Sequence, residues 1–134
     1  MRFEDLPLAG SKLVHGEPIV DARGYFERMF CAGTFGIEHT ALESRQISIS
    51  WNEQPGTRRG LHCQIGDAAE GKLVRCISGQ AFDVLVDIRS SSPTFGKSHA
   101  VILSDDNHLS IYVPPGFAHG FQTMKDSTAL LYLI

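Results

Sequence analysis

Gly71-Lys72-Leu73-Val74-Arg75-Cys76-Ile77-Ser78-Gly79-Gln80-Ala81-Phe82-Asp83-Val84-Leu85-Val86-Asp87-Ile88 consists of two apolar, β-branched runs parted by Ser-Gly-Gln. Each run has the length and the Val/Ile content of a single strand. The glycine-centred link reads as the tight turn of a β-hairpin. Charged residues such as Lys72 and Asp83 sit inside these strands. A charge on an apolar strand needs a reason: the two pair across the turn, or they serve a ligand.

The same pattern extends in both directions. Arg45 to Trp51 alternates, with Gln46, Ser48 and Ser50 on one face and Ile47, Ile49 and Trp51 on the other. His99 to Leu103, Leu109 to Val113 and Thr128 to Leu133 are further short runs, and Asp105-Asp106-Asn107 and Pro114-Pro115-Gly116 punctuate them. A short helix within Cys31 to Glu38 is the most helix the chain offers. Roughly ten closely spaced strands predict an all-β barrel or sandwich, a jelly roll. The 134 residues suffice for one domain, 1–134, with one core. A small barrel holds one ligand inside, so inward-facing polar residues mark the site.

Composition narrows the classes of function. Hydrophobic residues make up 43% and charged residues 20%, as in ordinary globular proteins. A net charge of −3 provides no basic field for nucleic acid. No apolar run is long enough for a bilayer and the N-terminus lacks a signal pattern, so the expected compartment is the cytoplasm, with no membrane partner. Cys31, Cys63 and Cys76 are odd in number and lack metal spacing, which predicts three free thiols. If His62 and Lys72 both point inward, alternation puts Cys63 and Cys76 on different faces.

Arg59-Gly60-Leu61-His62-Cys63-Gln64 precedes Lys72 and reads as the neighbouring strand. An imidazole can take a proton from carbon, and nearby cations favour its neutral, basic form. An ammonium can hold the negative charge that then develops on an adjacent oxygen. Together they suggest proton abstraction beside a carbonyl. Each residue also has a plainer reading: a structural histidine, and a solvated strand lysine. Arg23-Gly24-Tyr25-Phe26-Glu27 combines a guanidinium suited to phosphate with aromatics suited to a base, or is simply a turn entering an edge strand. His119 lies between small residues after a rigid turn. The Tyr132 phenol is a general acid, a pocket cap or packing. A metal site wants two close histidines and a third ligand; His62-Cys63-Gln64 supplies one, so no metal and no cofactor are expected.

Taken together, these segments resemble the nucleotide-sugar 3,5-epimerases of the cupin superfamily, the dTDP-4-dehydrorhamnose 3,5-epimerase family. The resemblance rests on Asp21 to Glu27, Arg59 to Gln64, Gly71 to Arg75, Phe82-Asp83-Val84, Val86 to Arg89, Ser92-Pro93-Thr94-Phe95-Gly96, Leu103-Ser104 and Pro115 to Phe121, in family order. It implies a cupin-type double-stranded β-helix, a homodimer, and a nucleotide-diphosphate deoxysugar as substrate. It implies that His62 is the general base, Tyr132 the general acid on the opposite side of the sugar, and Lys72 the enolate stabiliser. Arg23 and Arg59 would contact the diphosphate, Phe26 and Glu27 the nucleotide base, and Asp83 and His119 the sugar. Gln46 and Ser48 fall where the family carries Gln-Asp-Asn, with Ser48 the shorter side chain. Cys63 replaces an aromatic and Tyr112 a tryptophan. The family pattern continues past the position of Ile134, with an aspartate that orients the histidine. Three functions remain open at this point: an epimerase acting at C3 and/or C5, a binding-only nucleotide-sugar cupin, and a sugar-nucleotide 3,4-ketoisomerase.

Overall fold

The Ser78-Gly79-Gln80 turn joins two strands that do not pair with each other. The computed structural model describes residues 1–37, 40, 42 and 46–134; Glu38 and Arg45, at the ends of the expected helix and strand, lie outside them. Its elements are β1 (Arg2–Asp5), β2 (Lys12–His15), β3 (Ile19–Asp21), β4 (Gly24–Phe26), α1 (Ala32–Ile37), β5 (Ile47–Asn52), β6 (Arg58–His62), β7 (Lys72–Ser78), β8 (Gln80–Asp87), β9 (Ser98–Ser104), β10 (Leu109–Val113), β11 (Phe117–Thr123) and β12 (Thr128–Leu133). They form a six-stranded sheet in the order β1-β2-β10-β7-β12-β5, a four-stranded sheet β6-β11-β8-β9, and a separate hairpin β3-β4.

From β5 onward the chain changes sheet at every connection except β8 to β9. This is the jelly roll expected from the strand pattern, of the cupin type that the resemblance implies. The expected hairpin is corrected: β7 pairs with β10 and β12, whereas β8 pairs with β11 and β9. A single residue, Gly79 at φ 75°, separates β7 from β8. The usual hairpin loop needs two, so the chain turns a corner between sheets instead. For the same reason His62 and Lys72 do not lie on adjacent strands. They face each other from different sheets, and Lys72 and Asp83 do not pair.

The inner faces of the two sheets meet in one core, with Val74, Cys76, Leu85, Leu103, Ile111, Phe121 and Leu130 among its buried residues. A second cluster covers the outer face of the six-stranded sheet, where Phe35 of α1 packs with Val14, Leu73 and Tyr112. Cys31, Cys63 and Cys76 are all free, with Cys76 buried and Cys63 exposed. Burial pushes the Cys76 thiol up to about 11.

Two ion pairs on buried carboxylates fasten the periphery. Arg75, on the outer face of β7, donates to both Glu27 oxygens at 2.9 and 2.7 Å, and His108 Nδ1 lies 2.8 Å from the same carboxylate. Burial pushes the Glu27 carboxyl up, but Arg75 and His108 outweigh it and the net direction is down. At the end of β8, the fully buried Asp87 accepts hydrogen bonds from Arg89, Ser92 and Thr94. Arg89 also reaches the Ala9 carbonyl at 2.6 Å and stacks over Phe117.

Candidate active site

Strands β6 and β11 approach more closely than side chains allow. A Cβ on Gly60 would lie 2.6 Å from the His119 carbonyl oxygen, and one on Gly120 the same distance from the Arg59 carbonyl oxygen. The contact therefore demands glycine on both strands. It sets His62 directly opposite His119 in the ladder. Across the barrel, alternation turns Lys72 and Tyr132 to the face that carries Val74, Cys76 and Leu130 into the core.

These side chains meet at a cavity of about 260 Å³ lined by Arg59, His62, Lys72, His119 and Tyr132, with Ser50, Gly120, Phe121 and Ile134 completing the wall. The four-stranded sheet supplies both imidazoles and Arg59, and the six-stranded sheet supplies the ammonium and the phenol. A flat molecule held between them is addressed on its two faces by different sheets.

Each polar group has a defined setting. The His119 Nε2–H donates to the fully buried Asp83 carboxylate, 2.8 and 2.9 Å from its two oxygens. This bond uses one ring nitrogen of His119 and leaves Nδ1 for a ligand. Lys72 Nζ donates to Glu70 Oε1 at 3.0 Å. Arg59 Nε donates to Asn52 Oδ1 at 2.8 Å. Burial pushes the Tyr132 phenol well above its ordinary value; the Asp83 charge adds to the shift and Arg59 opposes it. Tyr132 therefore keeps its proton across the whole neutral range. Among the described residues nothing holds the His62 ring, which stands exposed at the mouth.

The remaining expected residues lie elsewhere. Arg23 is exposed at the turn of the β3-β4 hairpin and donates to Asp21 at 2.6 Å. Phe26 is exposed on the same hairpin. Glu27 is only 4% exposed and both its oxygens are taken by Arg75, so it is not presented to a nucleotide at this cavity. Gln46 closes the end of the β5-β12 ladder through backbone bonds with Ile134. Ser48 stands opposite Tyr132 in that ladder, and Ser50, one inward position further on, lines the cavity. Ser50 reads on the same face as Gln46 and Ser48 but is not assigned to the site from the sequence, and Asn52 and Glu70 are not singled out there. Asn52 continues that alternation and could have been found by extending it. Glu70 precedes β7 and carries no periodic signal. Among the described residues no group of three or more His, Cys, Asp or Glu side chains converges as a metal site would.

A family model described as dTDP-4-dehydrorhamnose 3,5-epimerase matches residues 5–134. A curated protein of that description from Sinorhizobium fredii is 42% identical over 134 residues, covering 100% of this chain and 69% of its own length. The crystal structure of a Bacillus anthracis dTDP-4-dehydrorhamnose 3,5-epimerase with TDP and PPi bound superposes with a TM-score of 0.94 at 34% identity, covering 98% of this chain and 75% of that one. A Legionella pneumophila enzyme in complex with dTDP-4-keto-L-rhamnose gives 0.91 at 34% identity, covering 98% and 70%. The chain spans 62 to 69% of the length of the first three curated relatives.

Proposed function

This chain belongs to the dTDP-4-dehydrorhamnose 3,5-epimerase family, and from that membership we propose that residues 1–134 form one epimerase domain acting on a dTDP-4-keto-6-deoxyhexose at C3 and/or C5, in deoxysugar biosynthesis of the dTDP-rhamnose kind. The observation that carries the reading is that opposite sheets bring an imidazole, an ammonium and a protonated phenol into one and the same cavity. The C4 ketone acidifies the hydrogens on its neighbouring carbons. His62 takes one, the electron pair moves to the ketone oxygen, and Lys72 lies against the resulting enolate oxygen. Tyr132 returns a proton from the other wall, which inverts the carbon. The Asp83–His119 pair borders the sugar, Ser48 on β5 and Gln46 just before that strand flank it, and Arg59 faces the diphosphate.

Arg23 and Phe26 enter this scheme through a second copy of the chain. The β3-β4 hairpin leaves Ile19 72%, Val20 73% and Phe26 70% exposed, and a lone two-stranded hairpin is marginal in water. Strand β5 ends the six-stranded sheet and exposes Ile47, Ile49 and Trp51 on its outer face. These unpaired apolar surfaces support a homodimer, in which the hairpin of one protomer carries Arg23 and Phe26 toward the nucleotide held by its partner. Glu27 is assigned to the Arg75 ion pair. No described helix is long and apolar enough to cross a membrane, and the cytoplasm is assigned on the sequence pattern.

Incubation with dTDP-4-keto-6-deoxyglucose in deuterated water, followed by NMR, tests the activity. Deuterium at C3 and C5 is the expected result, and at one carbon it defines a mono-epimerase. A ketone moved to C3 would replace the reading with a ketoisomerase, and nucleotide binding without exchange would replace it with a binding protein. His62→Ala should abolish exchange; exchange at the full rate in that variant would sink the base assignment.

A further inference from the structure

We propose that Asn52 is the positioning residue for Arg59, holding its guanidinium ready for the diphosphate; the inference rests on the reading of Arg59 given above. Asn52 closes β5 and is 3% exposed. Its Nδ2 donates to the Thr128 carbonyl at 3.1 Å and to the Ser50 carbonyl at 3.2 Å. Carbonyl oxygens only accept, so these contacts fix which end of the amide is nitrogen. Oδ1 is thereby turned to Arg59 Nε, which only donates, at 2.8 Å. Arg59 Nη2 lies 3.4 Å from the Trp51 carbonyl, so the guanidinium is tied to β5 along one edge while the side chain lines the cavity.

An amide suits this position on chemical grounds. It donates to strand carbonyls at one end and accepts from the guanidinium at the other without cancelling the charge of Arg59. Aspartate would keep the contact to Arg59, but it would face two carbonyls with an acceptor and neutralise the cation that the diphosphate needs. Alanine would free Arg59 to sample other rotamers, and ordering it again would weaken binding.

Calorimetric titration with thymidine diphosphate tests this in four proteins: wild type, Asn52→Ala, Arg59→Ala and the double variant. Asn52→Ala should bind about tenfold more weakly, the scale of one hydrogen bond to a charged group. The double variant should bind no more weakly than Arg59→Ala alone, because Asn52 acts through Arg59. Wild-type affinity in Asn52→Ala, or losses that add in the double variant, would overturn the inference while leaving Arg59 in place. Wild-type affinity in Arg59→Ala would overturn the diphosphate assignment itself, and the inference with it. The isosteric Asn52→Asp covers the case in which Asn52→Ala does not fold. It should lose at least as much affinity, and wild-type binding by it would equally overturn the proposal.

Discussion

Tyr132 keeps its proton because its phenol is out of water and faces the Asp83 carboxylate. Its folded-state value lies above the unfolded value of about 10. The folded chain thus holds a proton that the unfolded chain releases, and stability from this source is complete below about pH 10 and lost as the pH rises further. Tyr132→Phe should remove that alkaline sensitivity in urea titrations run on either side of pH 10. The same variant should lower kcat for the inverted product by about 10²–10⁴-fold while His62 still exchanges substrate hydrogen with solvent. If exchange and inversion fall together, the phenol is not the separate acid. The residues of this site were legible unequally. His62, Lys72 and His119 each carry chemistry on a strand whose alternation could be read. Glu27 is given a ligand contact by the resemblance alone; its partners Arg75 and His108 are 48 and 81 residues away, and no local pattern reports them. The Asp83–His119 bond, between residues 36 apart, was hidden in the same way.

Strand β5 inverts the usual logic of a half-buried strand. Its polar face, Ser50 and Asn52, turns inward to the cavity and the β12 carbonyls, and its apolar face is in water. A lysine at Ile49 would place a charge in the middle of the surface assigned to the partner protomer. If the proposed homodimer forms through this face, Ile49→Lys should sediment as a folded monomer and the parent as a dimer; a dimer unchanged by the substitution would place the interface elsewhere. Trp51 is the chain's single tryptophan and is 52% exposed on that face, so its emission should move to the blue as protein concentration drives association. Strand existence was legible at this scale, and pairing was not. Gly79, Asp105-Asp106-Asn107 and Pro114-Pro115-Gly116 all announce turns, yet each turn carries the chain between sheets. Whether a turn closes a hairpin or a corner depends on which distant strands flank each arm, and that information is not in the turn.

At the scale of the whole molecule, Asp87 joins the end of β8 to the loop over 89–94, and through Arg89 to the N-terminal segment at Ala9 and the ring of Phe117. The Arg89 guanidinium holds the Asp87 carboxyl far below the usual carboxylate range; Ser92 and Thr94 assist and burial opposes. A depressed value stabilises the fold above the unfolded value of about 4, and this contribution is lost as the pH falls through the acid range. Asp87→Asn should cost about 2–4 kcal/mol at neutral pH in denaturant titrations and flatten the acid limb of the stability curve. A cost below 1 kcal/mol would show the ion pair to be incidental. The core between the sheets has a consequence of its own. His62 and Tyr132 come from sheets stacked about 10 Å apart, and Leu85, Phe121 and Leu130 are packed between those sheets. If His62 and Tyr132 hold the roles proposed above, that thickness acts as a stereochemical ruler, because it sets the gap in which a planar enolate is held between the group that takes a hydrogen and the group that gives one back. Leu85→Val, which thins the packing without touching a polar group, should leave deuterium uptake intact and change the proportion of carbons that return with their original handedness. On that reading, chirality of the product depends in part on Leu85 and Leu130, which do not line the cavity.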